Sequence, residues 1–135
     1  MNRPKLIRDY FWAAIHTTTG LDPLKSPRYK VPVESLPAIA IYGSTDKIQS
    51  ADGQPQERIY TVAVDISAVG RVEDDSTDAL AQQVRTAILS DDSLGGLAIR
   101  TVWASQEWGG VEGEKPTSGT LLLFDVYYWS AEEHA

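Results

Sequence analysis

The most regular pattern of apolar and polar residues lies in the middle of the chain. From Ile59 to Val69 the two kinds of residue alternate, and this period of two is typical of a half-buried β-strand. Alternate residues of a strand point to the same side of the sheet. The pattern therefore predicts one buried face on this strand, formed by Tyr60, Val62, Val64 and Ile66.

A helix is predicted to follow that strand. The acidic stretch 73–75 and Ser76 are residue types that cap the free N–H groups of a first helical turn. Three apolar residues then recur every four positions and form one stripe along the helix. They are Leu80, Val84 and Ile88. The pair Gly95-Gly96 predicts the stop before the chain returns to the sheet.

Another helix and three more strands are predicted from the rest of the chain. The helix runs from Pro4 to about Thr18, because proline suits a first helical position and helically spaced apolar residues follow it, and Gly20 is expected to end it. The strands are Ala38–Tyr42, Ala98–Ser105 and Leu121–Ser130. Since Ala38–Tyr42 is apolar throughout, we expect it near the centre of the sheet, covered on both faces.

Three polar segments are predicted to connect these elements. Residues 21–37 contain four prolines, which allow at most a short edge strand around 28–33. Residues 44–57 and 106–120 are predicted to be loops that are flexible in the isolated protein and become ordered against a partner. The residues expected to make these partner contacts are Ile48, Gln49, Asp52, Trp108, Glu112 and Lys115, with Trp108 as the main apolar anchor.

The order of these elements predicts an α+β fold. We expect a mixed, mainly antiparallel sheet of four or five strands, with two helices packed on one face. The last two strands, joined by a loop, favour antiparallel pairing. The helix that follows Ile59–Val69 permits a parallel crossover to Ala98–Ser105, which would make the sheet mixed.

Composition restricts the function classes. The length of 135 residues is that of a single domain, which we expect to span residues 1–135. The absence of cysteine excludes a thiol nucleophile, a disulfide framework and a thiolate metal site. The net charge of -7 opposes binding to a phosphate backbone. No stretch approaches the roughly 20 apolar residues of a membrane span, so no membrane partner is expected.

Candidate chemistry is sparse. The only histidines, His16 and His134, are expected to face solvent, and no metal-binding motif is present, so we expect no catalytic, cofactor or metal site. Asp65 and Asp125 both lie mid-strand on the face opposite the main apolar set. Paired carboxylates could act as general acid and base in a hydrolase. We favour the alternative that this face is wet or forms a subunit contact.

The last strand has an unusually apolar second face. It is formed by Leu123, Tyr127 and Trp129, and a solvent-facing surface rarely carries so much apolar area. Two interpretations remain open. These residues could be core beneath a loop, or they could form a subunit interface.

Nearly the whole chain resembles the tail-terminator (tail completion) proteins of long-tailed bacteriophages, similar to minor tail protein U. The resemblance rests on the order of elements and on five features of the sequence. They are residues 36–42 with the long loop behind them, residues 60–67, the Asp-rich helix start before Ala79-Leu80, the turn at 93–97 and the last strand.

This resemblance implies a structural subunit of the virion without enzymatic activity, assembled in the host cytoplasm. Six copies would form a ring at the head-proximal end of the phage tail. The ring would cap the tail tube protein, stop its polymerisation and join the head-tail connector protein. Genome DNA would pass through the lumen without specific binding, as the acidic balance of the chain favours. A head-tail connector or neck ring subunit is the alternative within this class, and a small carboxylate-based hydrolase is the alternative outside it.

Overall fold

One antiparallel sheet organises the structure. The computed structural model describes residues 2–25, 35–48, 57–71, 77–111 and 115–129. The strands pair in the order β1-β2-β4-β3. In chain order the elements are α1 (Arg3–Thr19), β1 (Ala38–Ile48), β2 (Glu57–Val69), α2 (Asp78–Leu89), β3 (Arg100–Val111) and β4 (Thr117–Trp129).

The last strand, β4, lies between β2 and β3 and pairs antiparallel with both. The strands β2 and β3 therefore run in the same direction, as a crossover through α2 requires, but they are not neighbours. The prediction of an antiparallel pair for the last two strands is confirmed. The parallel pairing that the connecting helix permitted does not form, because β4 lies between β2 and β3, and the sheet is antiparallel rather than mixed.

Both helices pack on one face of this sheet, so the predicted α+β fold is confirmed. The predicted buried face of β2 is also confirmed, and the matching alternate residues of β4 complete it. α1, α2, β1, β2 and β4 each contribute residues of 4% exposure or less to this core. The core residues on the two central strands are Tyr60, Val62, Val64, Ile66, Leu122, Phe124, Val126 and Tyr128.

The first helix is confirmed within a residue of its predicted ends. The side chain of Asn2 caps it by accepting a hydrogen bond from the Lys5 N–H at 3.1 Å. Gly20 ends it in the left-handed conformation, with φ of 76°, and its N–H donates to the His16 carbonyl at 2.8 Å. Ile7, Phe11 and Ile15 are its buried residues with 0% exposure.

The second helix ends earlier than predicted. It stops at Leu89, and the chain then passes through turns before reaching β3. The carboxylate of Asp91 organises these turns, accepting hydrogen bonds from the Ser93 hydroxyl at 2.7 Å, the Gly95 N–H at 3.0 Å and the Ser93 N–H at 3.1 Å. These bonds, led by the one from Ser93, lower the pKa of Asp91. Ser76 and the acidic stretch 73–75 lie outside the described residues.

The first strand differs from its prediction in place and length. It is an edge strand, not the central one, because β2 pairs with only one of its sides. Leu24 makes an isolated parallel bridge to Ala40 on the other side. Ile39 and Ile41 point to the helix side and are buried in the core beneath α1, and this explains why an edge strand is so apolar. The predicted edge strand around 28–33 lies outside the described residues.

Two segments predicted to be loops are partly strand. β1 continues through Ser44 to Ile48, and β3 continues through Gln106 to Val111. Their polar and glycine-rich residues remain in register with β2 and β4 after a one-residue irregularity in each edge strand. Backbone pairing in a hairpin can extend an edge strand without a buried side-chain face, and the apolar pattern does not record it. Residues 49–56 and 112–114 lie outside the described ranges, and with them Gln49, Asp52 and Glu112.

Candidate functional site

The face of the sheet opposite the helices carries a broad apolar surface, called here the outer face. No helix or strand among the described residues lies over it. The residues that sequence reasoning singled out on β4, Leu123, Tyr127 and Trp129, all point to this side. Leu121 extends the same set on β4. Sequence analysis missed Tyr42 and Ala63, because they lie on β1 and β2 and only the register brings them beside β4.

The centre of the outer face is nearly dry. Ala63 is 1% exposed although it points away from the helices, because Tyr42 and Leu123 flank it on the neighbouring strands. Asp65 is the next residue of β2 on this face, two residues after Ala63, and it lies between Ala40 of β1 and Leu121 of β4. Burial raises the pKa of the Asp65 carboxyl. Burial, and then the nearby charge of Asp65, raises the pKa of Tyr42.

The two outer-face carboxylates do not form a catalytic pair. Asp65 pairs with Leu121, whereas Asp125 pairs with Thr61, so the two are offset by four positions along neighbouring strands. At about 3.3 Å per residue this offset is roughly 13 Å. Glycosidases hold their two carboxyl groups about 5 to 9.5 Å apart. The carboxylate of Asp125 instead accepts a hydrogen bond from the Thr61 hydroxyl at 2.7 Å.

Arg100 lies on the outer face beside the apolar residues. The guanidinium of Arg100 stands 3.9 Å from the centre of the Tyr127 ring, a close cation–π contact. Val102 follows on the same side of β3 and is 43% exposed. The mixture of aromatic, aliphatic and arginine side chains is the composition that protein interfaces favour.

Trp108 lies elsewhere than predicted. It belongs to β3, not to a loop, and points to the helix side of the edge, where its indole N–H donates to Asp78 at 3.3 Å. It is 55% exposed, the largest exposed fraction among the large apolar side chains described. Trp103, on the same strand, is held by Arg85, whose guanidinium lies 4.6 Å from its ring centre. Trp108 is thus the freer of the two indoles.

A pocket of about 360 Å³ lies at the opposite edge of the molecule, between α1 and β1. Its walls combine three cations, one carboxylate and the aromatic ring of Trp12. The lining residues are Lys5, Arg8, Asp9, Trp12, Lys25, Ile41, Tyr42 and Gly43. Sequence analysis did not find this pocket, because its cations look like ordinary solvent-facing residues of a helix and a connector.

Arg8 is positioned in this pocket by Tyr60. The guanidinium donates to the Tyr60 hydroxyl at 2.6 Å, and no carboxylate within the described ranges lies at salt-bridge distance from it. Tyr60 can reach this place because Gly43 on the neighbouring strand has no side chain. A Cβ there would lie 2.9 Å from two carbons of the Tyr60 ring.

The remaining predicted contact residues fall at strand ends. Ile48 closes β1 and is 52% exposed, and Lys115 is exposed just before β4. The structure brings Leu123, Tyr127 and Trp129 together on the outer face. It separates them from Trp108, which points to the other side of the sheet.

Comparisons with known proteins identify the fold. No family model matches the chain, and no curated protein matches it. Among solved structures, a chain of the virion of a native gene transfer agent (GTA) particle is similar, with a TM-score of 0.58 over 87% of this chain and 86% of that chain. The two sequences are 11% identical, so the likeness is one of fold. The architecture is therefore shared, over most of its length, with a component of a virion.

Proposed function

We propose that this protein is a structural component of a phage-like particle, specifically a tail terminator that forms a hexameric ring. The observation that carries the proposal is the fold shared with a chain of the gene transfer agent virion over 86% of that chain. The layout of the sequence, which resembles tail-terminator proteins, supports the finer assignment. In this role the ring caps the tail tube, stops its growth and joins it to the head-tail connector.

The outer face supports an assembly role. Its residues Leu123, Tyr127 and Trp129 form an apolar surface with Val102 and Ala63, and such surfaces on small proteins are commonly covered by partners. In the proposed ring this surface is buried against a neighbouring subunit. A net charge of -7 keeps the lumen from adhering to the DNA that passes through it.

The geometry disfavours the hydrolase alternative. Asp65 and Asp125 are too far apart along the sheet for concerted acid–base work, as their register shows. Folded Asp65→Asn and Asp125→Asn variants should therefore support particle production as the parent does. A folded, assembled variant that had lost a hydrolytic turnover measurable in the parent would contradict this assignment.

Deleting the gene from the particle's genome tests the terminator role. Without a terminator, tube polymerisation has no stop, so electron micrographs of the lysate should show tubes of irregular, excessive length. Loss of a neck subunit would instead leave tails of normal length that are not joined to heads. Normal tails on full heads would refute both roles, and complementation with the intact gene is the control.

The mass of the purified protein in solution is the second test. A terminator should form hexamers alone or when bound to tubes, which light scattering and negative-stain microscopy can distinguish from monomers. A protein that stays monomeric in the presence of purified tubes and does not bind them would contradict the proposal.

A further inference from the structure

Two features at opposite edges of the molecule are complementary in shape and charge. We propose that Trp108 and Asp78 of one copy dock into the pocket between α1 and β1 of the next copy, so that the ring closes head to tail. This inference rests on the proposed ring function and deepens it, because it names the two surfaces that meet.

The projecting partner is the edge formed by α2 and β3. The indole of Trp108 is more than half exposed, and its N–H donates to one carboxylate oxygen of Asp78 at 3.3 Å. Trp108 lies on the edge strand β3, and β4 pairs with only one side of that strand, so the other side of the strand is open to a partner. An aromatic ring next to a carboxylate is therefore presented on an exposed ridge.

The receiving partner is the pocket, which is cationic. Lys5 is paired with Asp9 at 2.8 Å, which leaves the charges of Arg8 and Lys25 without a carboxylate in the part of the chain described. The volume of about 360 Å³ is at the small end of the range for ligand sites, suited to a few side chains. The indole N–H of Trp12 donates to the Pro23 carbonyl at 2.9 Å, so Trp12 has no free donor and lines the pocket with its ring.

The chemistry of the two surfaces matches. An indole beside an arginine or lysine gains a cation–π attraction. The Asp78 carboxylate would also give Arg8 and Lys25 the negatively charged partner that they lack. Trp residues are also enriched among the side chains that contribute most to binding. In a chain with 19 acidic and 12 basic residues, a cationic pocket is selective for another copy of the same chain or a similarly acidic partner.

The position of the two surfaces suits a closed ring. β1 and β3 are the two edges of the described sheet, with α1 over the first and α2 beside the second. Contacts between different surfaces of identical subunits build rings when the rotation closes. Tyr42 borders the pocket while its side chain stands on the outer face, so the pocket lies at the β1 edge of that face.

The absence of native cysteine allows a direct test. We would introduce Gly110→Cys, which points to the same side of β3 as Trp108, and Lys25→Cys in the pocket wall, and treat the protein with a short thiol-to-thiol cross-linker. A variant with both cysteines should give a ladder from dimer up to the full ring in denaturing gels. A mixture of the two single variants should give dimers only, and neither single variant alone should react. As the matched control, Gln83→Cys on the exposed side of α2 combined with Lys25→Cys should give no ladder.

The outcomes separate this inference from the proposed function. Rings that form but give no ladder, or dimers from Gly110→Cys alone, would overturn the pairing and leave the ring role intact. Failure of the reduced protein to assemble, together with normal tails in the gene deletion, would overturn both. A folded Trp108→Ala variant should weaken assembly about thirtyfold or more, whereas Gln83→Ala should not change it. An unchanged Trp108→Ala variant would also overturn the pairing.

Discussion

The Tyr60 hydroxyl group occupies the space beside Gly43 that a Cβ atom would fill, and from there it accepts a hydrogen bond from Arg8. This arrangement ties the edge strand β1, the central strand β2 and the helix α1 at one point. The glycine is needed for contact, not for backbone freedom. Its φ is not among the positive values found at Gly20, Gly70, Gly95 and Gly96.

Gly43→Ala should destabilise the protein by about 1 to 3 kcal/mol, because the added methyl group must displace the Tyr60 ring. Chemical denaturation would measure the loss. Gly109→Ala is the matched control, since its Cβ meets nothing within 4 Å. Tyr60→Phe, which removes only the hydroxyl group, should cost about 0.5 to 1.5 kcal/mol. Equal stability of Gly43→Ala and Gly109→Ala would show that Tyr60 does not depend on the glycine.

Ile88→Ala should reduce the free energy of unfolding by about 2 to 5 kcal/mol, because Ile88 is completely buried between α2 and the sheet. Val84→Ala should cost less, since fewer methyl groups are removed. Leu80 is half-buried at the margin of the same core, so Leu80→Ala should also cost less than Ile88→Ala. Thermal or urea midpoints measure all three losses of stability. A Leu80→Ala variant less stable than the Ile88→Ala variant would contradict the burial of these two residues.

The stability of the folded protein should fall as pH rises through the titration of Asp65. Burial raises the pKa of this carboxyl above its ordinary value of about 4, so the folded chain retains a proton that the unfolded chain has lost. The free energy of unfolding therefore decreases between the ordinary pKa and the raised one. Asp65→Asn should remove this decrease. The stability of the variant relative to the parent should therefore be greater at neutral pH than at acid pH. Asp92→Asn serves as the control, and parallel pH profiles for Asp65→Asn and the parent would exclude the effect.

Leu123→Lys should prevent assembly while leaving the monomer folded, because it places a charge at the centre of the proposed contact on the outer face. Gln83→Lys is the control with the same charge change on the exposed side of α2. Circular dichroism would establish the fold, and sedimentation the assembly state. Rings of Leu123→Lys as stable as those of the parent would show that the outer face is not an interface.

The central strands and both helices could be predicted because their side chains record burial. Apolar residues occupy every second position from Tyr60 to Ile66 and recur at helical spacing in α2, because one face of each element packs against the core. The edge strands could not be predicted to their full length. Residues 44–48 and 106–111 are held by backbone hydrogen bonds to β2 and β4, which any residue except proline can make.

The candidate site was predictable only in part, for the same reason. The sequence revealed the outer-face residues of β4 because they lie on one strand at even spacings. They are Leu123, Tyr127 and Trp129. The pocket needs Arg8 from a helix, Lys25 from a connector and Gly43 from an edge strand, and no local pattern joins these three. The role of Asp91 depends on the turn that folds back onto its carboxylate, and no apolar pattern records such a turn.

The insertion of β4 between β2 and β3 also has a consequence for biosynthesis. As the chain leaves the ribosome, β2 and β3 emerge first, yet neither finds its central neighbour until residues 117–129 follow. Leu123, Tyr127 and Trp129 arrive on that same strand. The nascent chain therefore cannot present the complete outer face before β4 has been synthesised, so assembly through that face must follow completion of the sheet.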